Sequence, residues 1–278
     1  MPPHGPASEE LLRDLADEQS ALDAIIGSAV GSPWDIPTPA EGWAVRDQVS
    51  HLAYFDEVAT MAVRDPDRFR VLADAARAQQ ADPMEEHLAR GRAMDGAALM
   101  SWWRAARGEM IQELGLLDAA ARVEWFGPPM GVASFVTARL METWAHGQDV
   151  ADALGVERAA TPRLRHIAHL GVRTRGFAYM VRGLDPPGSA VVVELSGPGG
   201  ESWSFLAGPG EPGPAGRPAQ ERVSGSALDF CLVVTQRRNL ADTSLVISGS
   251  QAREWMEIAQ AFAGPPGPGR PPSKAAPG

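Results

Sequence analysis

The segment Val132 to Leu154, VASFVTARLMETWAHGQDVADAL, carries the pattern from which the rest of the fold can be worked out. Glu142 and His146 are four residues apart, so on a helix they lie one turn apart on the same face. Phe135 and Ala138 share that stripe and are apolar, which predicts that the face points into the protein. A buried Glu and His without a partner would cost on the order of several kcal/mol, and a bound metal would offset that cost.

A third metal-binding residue is predicted on an earlier helix, from about Ala44 to Arg64. His51 lies there, with Phe55 and Val58 further along the same side. Two histidines and one glutamate leave a coordination position open, which is typical of a catalytic zinc site, and they also suit a non-haem iron site. Two alternatives to metal binding remain open. Glu142 and His146 could be a solvated pair, which is common on helices, and His51 could be a buried histidine that is only hydrogen-bonded.

Hydrophobic periodicity predicts helices in the first two thirds of the chain and a mixed pattern afterwards. The fold class is therefore α+β, with an N-terminal up-down helical bundle followed by a small α+β domain. The expected domains are residues 1–182, 183–263 and a disordered Pro/Gly-rich tail, 264–278. The predicted helices are 8–30, 44–64, 83–116, 132–154, 162–181, 226–236 and 251–262, and the predicted strands are 190–195, 202–206, 222–224 and 244–247.

Composition narrows the function classes. The 278 residues carry a formal net charge of -10, which argues against nucleic-acid and anionic-membrane partners. No apolar run approaches the length of a membrane span. The chain has one cysteine, Cys231, which is expected to be buried and unreactive. This cysteine content and the lack of a signal-peptide pattern predict a cytoplasmic protein.

Two segments resemble a known family. Residues 38–52, TPAEGWAVRDQVSHL, and residues 142–149, ETWAHGQD, resemble the paired motifs of the mycothiol-dependent maleylpyruvate isomerase family, within the DinB-like superfamily. The resemblance implies that His51, Glu142 and His146 bind a divalent metal. Zinc is the ion it implies, while nickel, iron and manganese also suit these ligands. It further implies a low-molecular-weight thiol such as mycothiol as the cofactor.

The second half of the chain also resembles this family. Residues 229–238, DFCLVVTQRR, followed by Ser244 to Ile247 are similar to its C-terminal domain, in which a helix ends in an arginine and a strand follows. The sequence TQRRN at 235–239 differs from that of the isomerases and more closely resembles a segment called a wyosine-base-formation domain in bacterial proteins. The resemblance therefore implies the family's two-domain architecture, but it does not identify the substrate.

Three arginines are candidates for ligand binding. Arg237 and Arg238 end an apolar helix, where a basic residue also suits the helix dipole. A planar guanidinium could instead clamp a carboxylate of the substrate or thiol. Arg237 is predicted to do so in an active site formed by both domains, Arg238 is a cofactor-binding candidate, and Arg46 could face a substrate carboxylate. Asp47 is expected to cap its helix.

Three functions fit these observations. The first is a metal-dependent thiol enzyme that transfers a thiol to a small electrophile or isomerises it from cis to trans. The second is a metal-dependent hydrolase or lyase with Asp47, Glu57 or Asp149 as general base, and the third is a non-catalytic metal or small-ligand binding protein. Asp149 could alternatively orient His146, while His87 is expected at the surface.

Overall fold

A computed structural model describes residues 6–78, 83–209 and 221–273 of the chain. The chain divides by its internal contacts into two compact units, Met1–Arg158 and Ala159–Gly278. This division comes before the boundary at residue 182 expected from the sequence. The reason is that residues 164–173 form a helix that packs on elements of the second unit. Among the described residues, no helix is both long and apolar enough to cross a membrane.

The first unit is a helical bundle with one small hairpin. Helix α2 (Val45–Arg64) packs against α5 (Gly96–Gly115) and α6 (Val132–Leu154), and α1 (Pro6–Gly27) packs against the same two helices. The core between them includes Leu22 of α1, Leu52 of α2, Trp103 of α5 and Val150 of α6. The elements are α1 Pro6–Gly27, α2 Val45–Arg64, α3 Pro66–Arg77, α4 Pro83–Arg92, α5 Gly96–Gly115, β1 Arg122–Val123, β2 Met130–Gly131 and α6 Val132–Leu154.

The single helix predicted for residues 83–116 is wrong, because the structure has two helices there. Asp95 accepts a hydrogen bond from the backbone N–H of Ala98 at 2.8 Å and so caps a new helix, α5. Gly96 follows in a position where a Cβ atom would lie 1.8 Å from the indole nitrogen of Trp34. Helix α3 was missed, although Asp65 and Pro66 form a recognisable start signal of cap and first-turn proline.

In the part of the chain that the structure describes, the second unit is a four-stranded sheet with four α-helices and a short 3-10 helix, Leu240–Asp242. The strand order is β4 (Ser202–Ala207), β3 (Val191–Ser196), β5 (Arg222–Ser226) and β6 (Val246–Ser248). Strands β3 and β5 are parallel, and the other neighbouring pairs are antiparallel. Helix α9 packs closely on α7, since a Cβ at Gly171 would lie 2.7 Å from the side chain of Val234. The elements are α7 Leu164–Arg173, α8 Arg175–Met180, β3 Val191–Ser196, β4 Ser202–Ala207, β5 Arg222–Ser226, α9 Ala227–Val234, β6 Val246–Ser248 and α10 Ser250–Ile258. The expected α+β class, with an N-terminal helical bundle followed by a small α+β unit, is thus confirmed.

The chain after α10 differs from the expected disordered tail. The backbone N–H and the hydroxyl of Ser273 donate to Asp242, and the side-chain amide of Asn239 donates to the carbonyl of Arg270 at 2.8 Å. These contacts place residues 264–273 on the second unit because their backbone groups find side-chain partners there. Residues 274–278 of the predicted tail lie outside the described residues.

A buried ion pair joins α2 to α6. The guanidinium of Arg139 donates to Asp56 at 2.9 Å, and the two side chains expose 4% and 0% of their surface. Burial raises the pKa of Asp56, and the charge and hydrogen bonds of Arg139 oppose that rise. Arg139 therefore provides most of the compensation for the buried carboxylate, with smaller contributions from Trp103 and Arg107.

We predict that Arg139→Met destabilises the protein by about 3 to 5 kcal/mol, because it leaves Asp56 buried without its counter-charge. Denaturant unfolding measures this. The double variant Asp56→Leu/Arg139→Met should regain most of the loss, and Arg64→Met, at the exposed pair with Glu109, should change the free energy of unfolding far less. Equal effects of Arg139→Met and Arg64→Met would contradict the prediction.

Candidate metal centre

Two stripes of polar side chains face each other between α2 and α6. On α2 the stripe holds Gln48 and His51, and on α6 it holds Glu142 and His146, at spacings of three and four residues that share one helix face. Gln48 contacts His146, and His51 contacts Glu142. Together with the pair Asp56–Arg139, these contacts run in opposite order along the two helices, so α2 and α6 pack antiparallel.

The three predicted metal ligands converge. His51, Glu142 and His146 each offer a ligand atom, and these atoms lie within 4.8 Å of one another. The Nε2 atom of His146 lies 3.2 Å from Glu142 Oε2, and Nε2 of His51 lies 3.9 Å from the same oxygen. The histidine side chains are each 11% exposed and that of Glu142 is 21% exposed, so the carboxylate marks the more open side of the cluster.

The protonation states suit metal binding. Burial, reinforced by the charge of His146, lowers the pKa of His51 from its ordinary value of 6.5 to about 3, against the opposing effect of Glu142. Burial tends to raise the pKa of Glu142, but hydrogen bonds and charge interactions with His146 and His51 outweigh it and hold that pKa well below its ordinary value. His51 is therefore a neutral imidazole and Glu142 a carboxylate at pH 7, the forms that ligate metal ions.

The separations of the two histidine nitrogens from Glu142 Oε2 are close to those around a metal ion. Ligands about 2.0 to 2.2 Å from one tetrahedral ion are roughly 3.3 to 3.6 Å apart. The two measured separations from Glu142 Oε2, 3.2 and 3.9 Å, bracket that range. Two imidazoles and one carboxylate suit zinc and also iron, nickel or manganese.

His146 is oriented by a residue that the sequence analysis did not single out. Its Nδ1 atom lies 2.6 Å from Oε1 of Gln48, whose side chain is fully buried. Asp149, which the sequence offered for this role, is buried as well, but the hydrogen bond at Nδ1 goes to Gln48. The signal available in the sequence was the i, i+3 spacing of Gln48 and His51.

Aromatic rings surround the two histidines. The indole of Trp43 stacks on His146 with ring centroids 5.9 Å apart and lies 5.4 Å from His51, while Phe55 lies 4.6 Å from His51. Trp125 and Phe126, from the loop between β1 and β2, extend this wall beyond Phe55. These rings exclude water from the histidine side of the cluster.

The surface position expected for His87 is wrong. Its side chain is fully buried, with its ring 5.3 Å from His51 and stacked on Tyr54 at 5.1 Å. The neighbouring acidic and basic residues suggested a solvated helix. The spacing of His87, Leu88 and Gly91, which form the buried side of α4, was the signal for the correct reading.

Arg46 and Asp47 hold the start of α2. The guanidinium of Arg46 is 2.9 Å from Asp35 and donates to the carbonyls of Arg92 and Met94. Asp47 accepts from the backbone N–H of Ala44 at 2.8 Å, which confirms its expected role as a cap.

Arg237 and Arg238 lie beyond the end of α9. The helix, predicted to reach residue 236, ends at Val234, because Gln236 adopts a left-handed φ of 59°. The backbone N–H groups of both arginines then donate to the carbonyl of Leu232, at 2.7 and 3.2 Å. Both arginines therefore lie beyond the helix and not in its last turn, where the sequence predicts them. That part of the prediction is wrong.

Comparisons with known proteins agree with this architecture. Residues 15–151 match the family described as mycothiol maleylpyruvate isomerase N-terminal domain. Two uncharacterised proteins of Mycobacterium tuberculosis, from strains CDC 1551 / Oshkosh and ATCC 25618 / H37Rv, are each 48% identical over 257 residues, covering 92% of this chain and 96% of theirs.

Two solved structures share the fold. They are crystal structures of the mycothiol-dependent maleylpyruvate isomerase and of a histidine-to-alanine mutant of it. Each is 18% identical with a TM-score of 0.54 and covers 83% of this chain and 89% of that chain. The chain therefore belongs to the mycothiol-dependent maleylpyruvate isomerase-like family.

Proposed function

We propose that this protein is a divalent-metal-dependent enzyme that activates a low-molecular-weight thiol for S-transfer to, or cis-trans isomerisation of, a small electrophilic substrate. The observation that carries the proposal is the convergence of His51, Glu142 and His146 inside the bundle of a family named for a thiol-dependent isomerase. Zinc is the ion we propose, and mycothiol, which the family and the similar crystal structures carry in their names, is the proposed thiol.

The thiol must come from outside the chain. Cys231 is the only cysteine, it is buried, and its Sγ atom contacts the carbonyl of Leu164 at 3.4 Å. Burial raises the pKa of this thiol far above its ordinary value, so it does not supply a thiolate at neutral pH. The burial expected of Cys231 from the sequence is confirmed, and it favours an external thiol.

The residues of the site have two proposed roles, which are to bind the metal ion and to exclude water from its ligands. His51 and His146 present Nε2 atoms, and Glu142 presents a carboxylate oxygen, to one point between α2 and α6. The rings of Trp43 and Phe55 keep water from the histidines. A divalent ion bound there supplies one chemical effect, which is to lower the pKa of a thiol that occupies its open position.

A hydrolase or lyase is less well supported, since two of its three candidate bases are engaged elsewhere. Asp47 accepts from Arg92 at 2.8 Å and caps α2. Glu57 accepts from Arg90 at 2.8 Å and from the indole of Trp102 at 2.6 Å. A general base needs a free carboxylate oxygen within hydrogen-bond reach of the attacking water.

We further propose that Arg237 holds a carboxylate of the substrate or thiol, with Arg238 contributing to cofactor binding. The support is chemical, because a planar guanidinium binds a carboxylate in two parallel hydrogen bonds. Each guanidinium group already has a partner. Arg46 pairs with Asp35, and Arg237 donates to the carbonyl of Thr235 at 2.7 Å. Arg238 donates to the carbonyl of Arg237 at 2.7 Å, so a carboxylate ligand would have to share or displace these contacts.

The first test is metal content and thiol binding. The purified protein should contain about one divalent ion per chain, and His146→Ala should lower its metal affinity by more than about 100-fold, beyond the loss typical of a residue that only orients a ligand. Elemental analysis and chelator competition measure this. His169→Ala, an exposed histidine of the second unit, is the matched control.

The metal-loaded protein should also bind mycothiol and convert an electrophile only in its presence. Equal metal in wild type and His146→Ala would remove the metal site from the proposal. Thiol-independent hydrolysis would favour the second function, and tight ligand binding without turnover would favour the third.

The pH dependence of stability provides a second test. The unfolded chain binds a proton at His51 as the pH falls through 6.5, whereas the folded chain does so only near 3. The stability associated with this histidine is therefore present above pH 6.5 and lost on acidification, by about 2 kcal/mol between pH 7.5 and 5 in metal-free protein. Denaturant unfolding at both pH values should show a smaller decrease, by that amount, in His51→Gln. Parallel decreases in both proteins would show that His51 is not a buried neutral group.

The arginine proposal predicts a difference between two conservative variants. Arg237→Lys should raise the KM for a carboxylate substrate or weaken thiol binding about 10-fold or more, because an ammonium cannot replace a bidentate guanidinium. Arg238→Lys should have the smaller effect on substrate. Thermal unfolding of both variants must remain as in the wild type, and normal binding in both would end the proposal.

A further inference from the structure

Half-buried aromatic rings continue from the proposed metal centre toward the surface of the first unit. Phe55 contacts His51, and the rings of Trp125 and Phe126 lie 6.3 and 6.1 Å from that of Phe55. We refer to Phe55, Trp125 and Phe126 as the outer aromatic cluster. All three residues keep part of their surface exposed, whereas Phe69, which packs behind them, is buried. The cluster therefore offers apolar surface to a ligand instead of serving only as core.

The loop between β1 and β2 holds the cluster in place. Trp125 stacks on Phe69 with ring centroids 5.6 Å apart and planes 3° apart, and its edge meets Phe135 at 5.0 Å. Phe126 follows this anchored residue, and Gly127 and Pro128 after it are exposed. Because Trp125 is fixed on the core, the half-buried ring of Phe126 is placed beside Phe55 before any ligand binds.

The charges around the centre do not favour an anionic ligand. Three arginines of α4 and α6 are each paired with a carboxylate of α2: Arg90 with Glu57, Arg92 with Asp47 and Arg139 with Asp56. Among the described residues, the charged partners of Glu142 are His51 and His146, and no arginine forms an ion pair with it. A divalent ion would be balanced by Glu142 and one thiolate. A further carboxylate against the first unit would therefore be buried without a counter-charge, which is costly.

We propose that Phe55 and Phe126 are specificity-determining residues that bind an aromatic ring of the electrophilic substrate beside the metal centre. Aromatic rings attract one another at centroid distances of about 4.5 to 7 Å, so a flat ring can pack against both side chains. This inference rests on the proposed function, since it names the class of substrate for the same centre. It concerns only the part of the substrate that lies against the first unit.

The direct experiment uses small hydroxamates as probes of the zinc-loaded protein. A hydroxamate binds zinc through two oxygens and so holds its substituent next to the ion. Benzohydroxamate carries a ring, acetohydroxamate a methyl group and malonohydroxamate a carboxylate. In calorimetry, benzohydroxamate should bind at least about 10-fold more tightly than acetohydroxamate, because its ring leaves water for the outer aromatic cluster. Malonohydroxamate should bind no more tightly than acetohydroxamate.

Phe126→Leu tests the cluster without removing a contact of the metal ligands. Among the described residues, the rings in contact with Phe126 are those of Phe55, Phe69 and Trp125. The variant keeps an apolar side chain but loses the ring, so it should reduce the preference for benzohydroxamate by about 2- to 10-fold. Its zinc affinity in chelator competition should stay within a few-fold of the wild type. Phe126→Tyr should retain the preference, and Phe205→Leu, at a half-buried ring of the second unit, is the matched control.

Three results would overturn the inference: equal affinity for benzohydroxamate and acetohydroxamate, tightest binding of malonohydroxamate, or a wild-type preference in Phe126→Leu. The proposed function fails separately. A zinc-loaded protein that prefers benzohydroxamate through Phe126, yet turns over no electrophile with a thiol, would support the aromatic subsite and refute the thiol enzyme. Thiol-dependent turnover of a small aliphatic electrophile, without a preference for the ring, would support the enzyme and overturn the subsite.

Discussion

The burial of matched polar side chains between α2 and α6 is the constraint on which the rest of the first unit depends. Gln48 meets His146, His51 meets Glu142, and Asp56 meets Arg139. Each of these groups would be costly to bury alone. A shift of one helix by a single turn would separate all three pairs at once, so the pairs set the register of the two helices more strictly than apolar packing does.

The surrounding apolar residues then serve two purposes. Leu22, Leu52 and Trp103 fill the interior between the bundle helices and supply the stability that an ion pair and a cluster of histidines do not. Trp43 and Phe55 belong to the site instead, since they lie against the histidine rings. Their low-dielectric surroundings keep His51 neutral, and so packing and protonation state have a common cause.

Much of this arrangement was predictable because it is periodic. Spacing of four residues placed Glu142 and His146 on one face, and apolar neighbours indicated that this face is buried, as the structure confirms. The position of His87 was not predicted, because charged neighbours on the exposed side of a short helix obscured its buried face. Gln48 was overlooked for a different reason. Periodicity tells which side of a helix is buried but not which side chain of another helix it will meet.

The loop before α2 is ordered by its own hydrogen bonds, including that from the backbone N–H of Thr38 to the carbonyl of Trp43 at 2.8 Å and a bridge between Pro37 and Ala44. Gln48 contacts His146 and also donates to the hydroxyl of Thr38 in this loop at 2.9 Å, so the order of the loop and the occupancy of the proposed centre are thermodynamically linked. Such linkage is reciprocal: whatever free energy the ordered loop adds to ion binding, the bound ion must return to the loop as protection against local opening. The proline-rich loop before α2 does not itself bind the ion, yet it would open less often when an ion is bound inside the bundle.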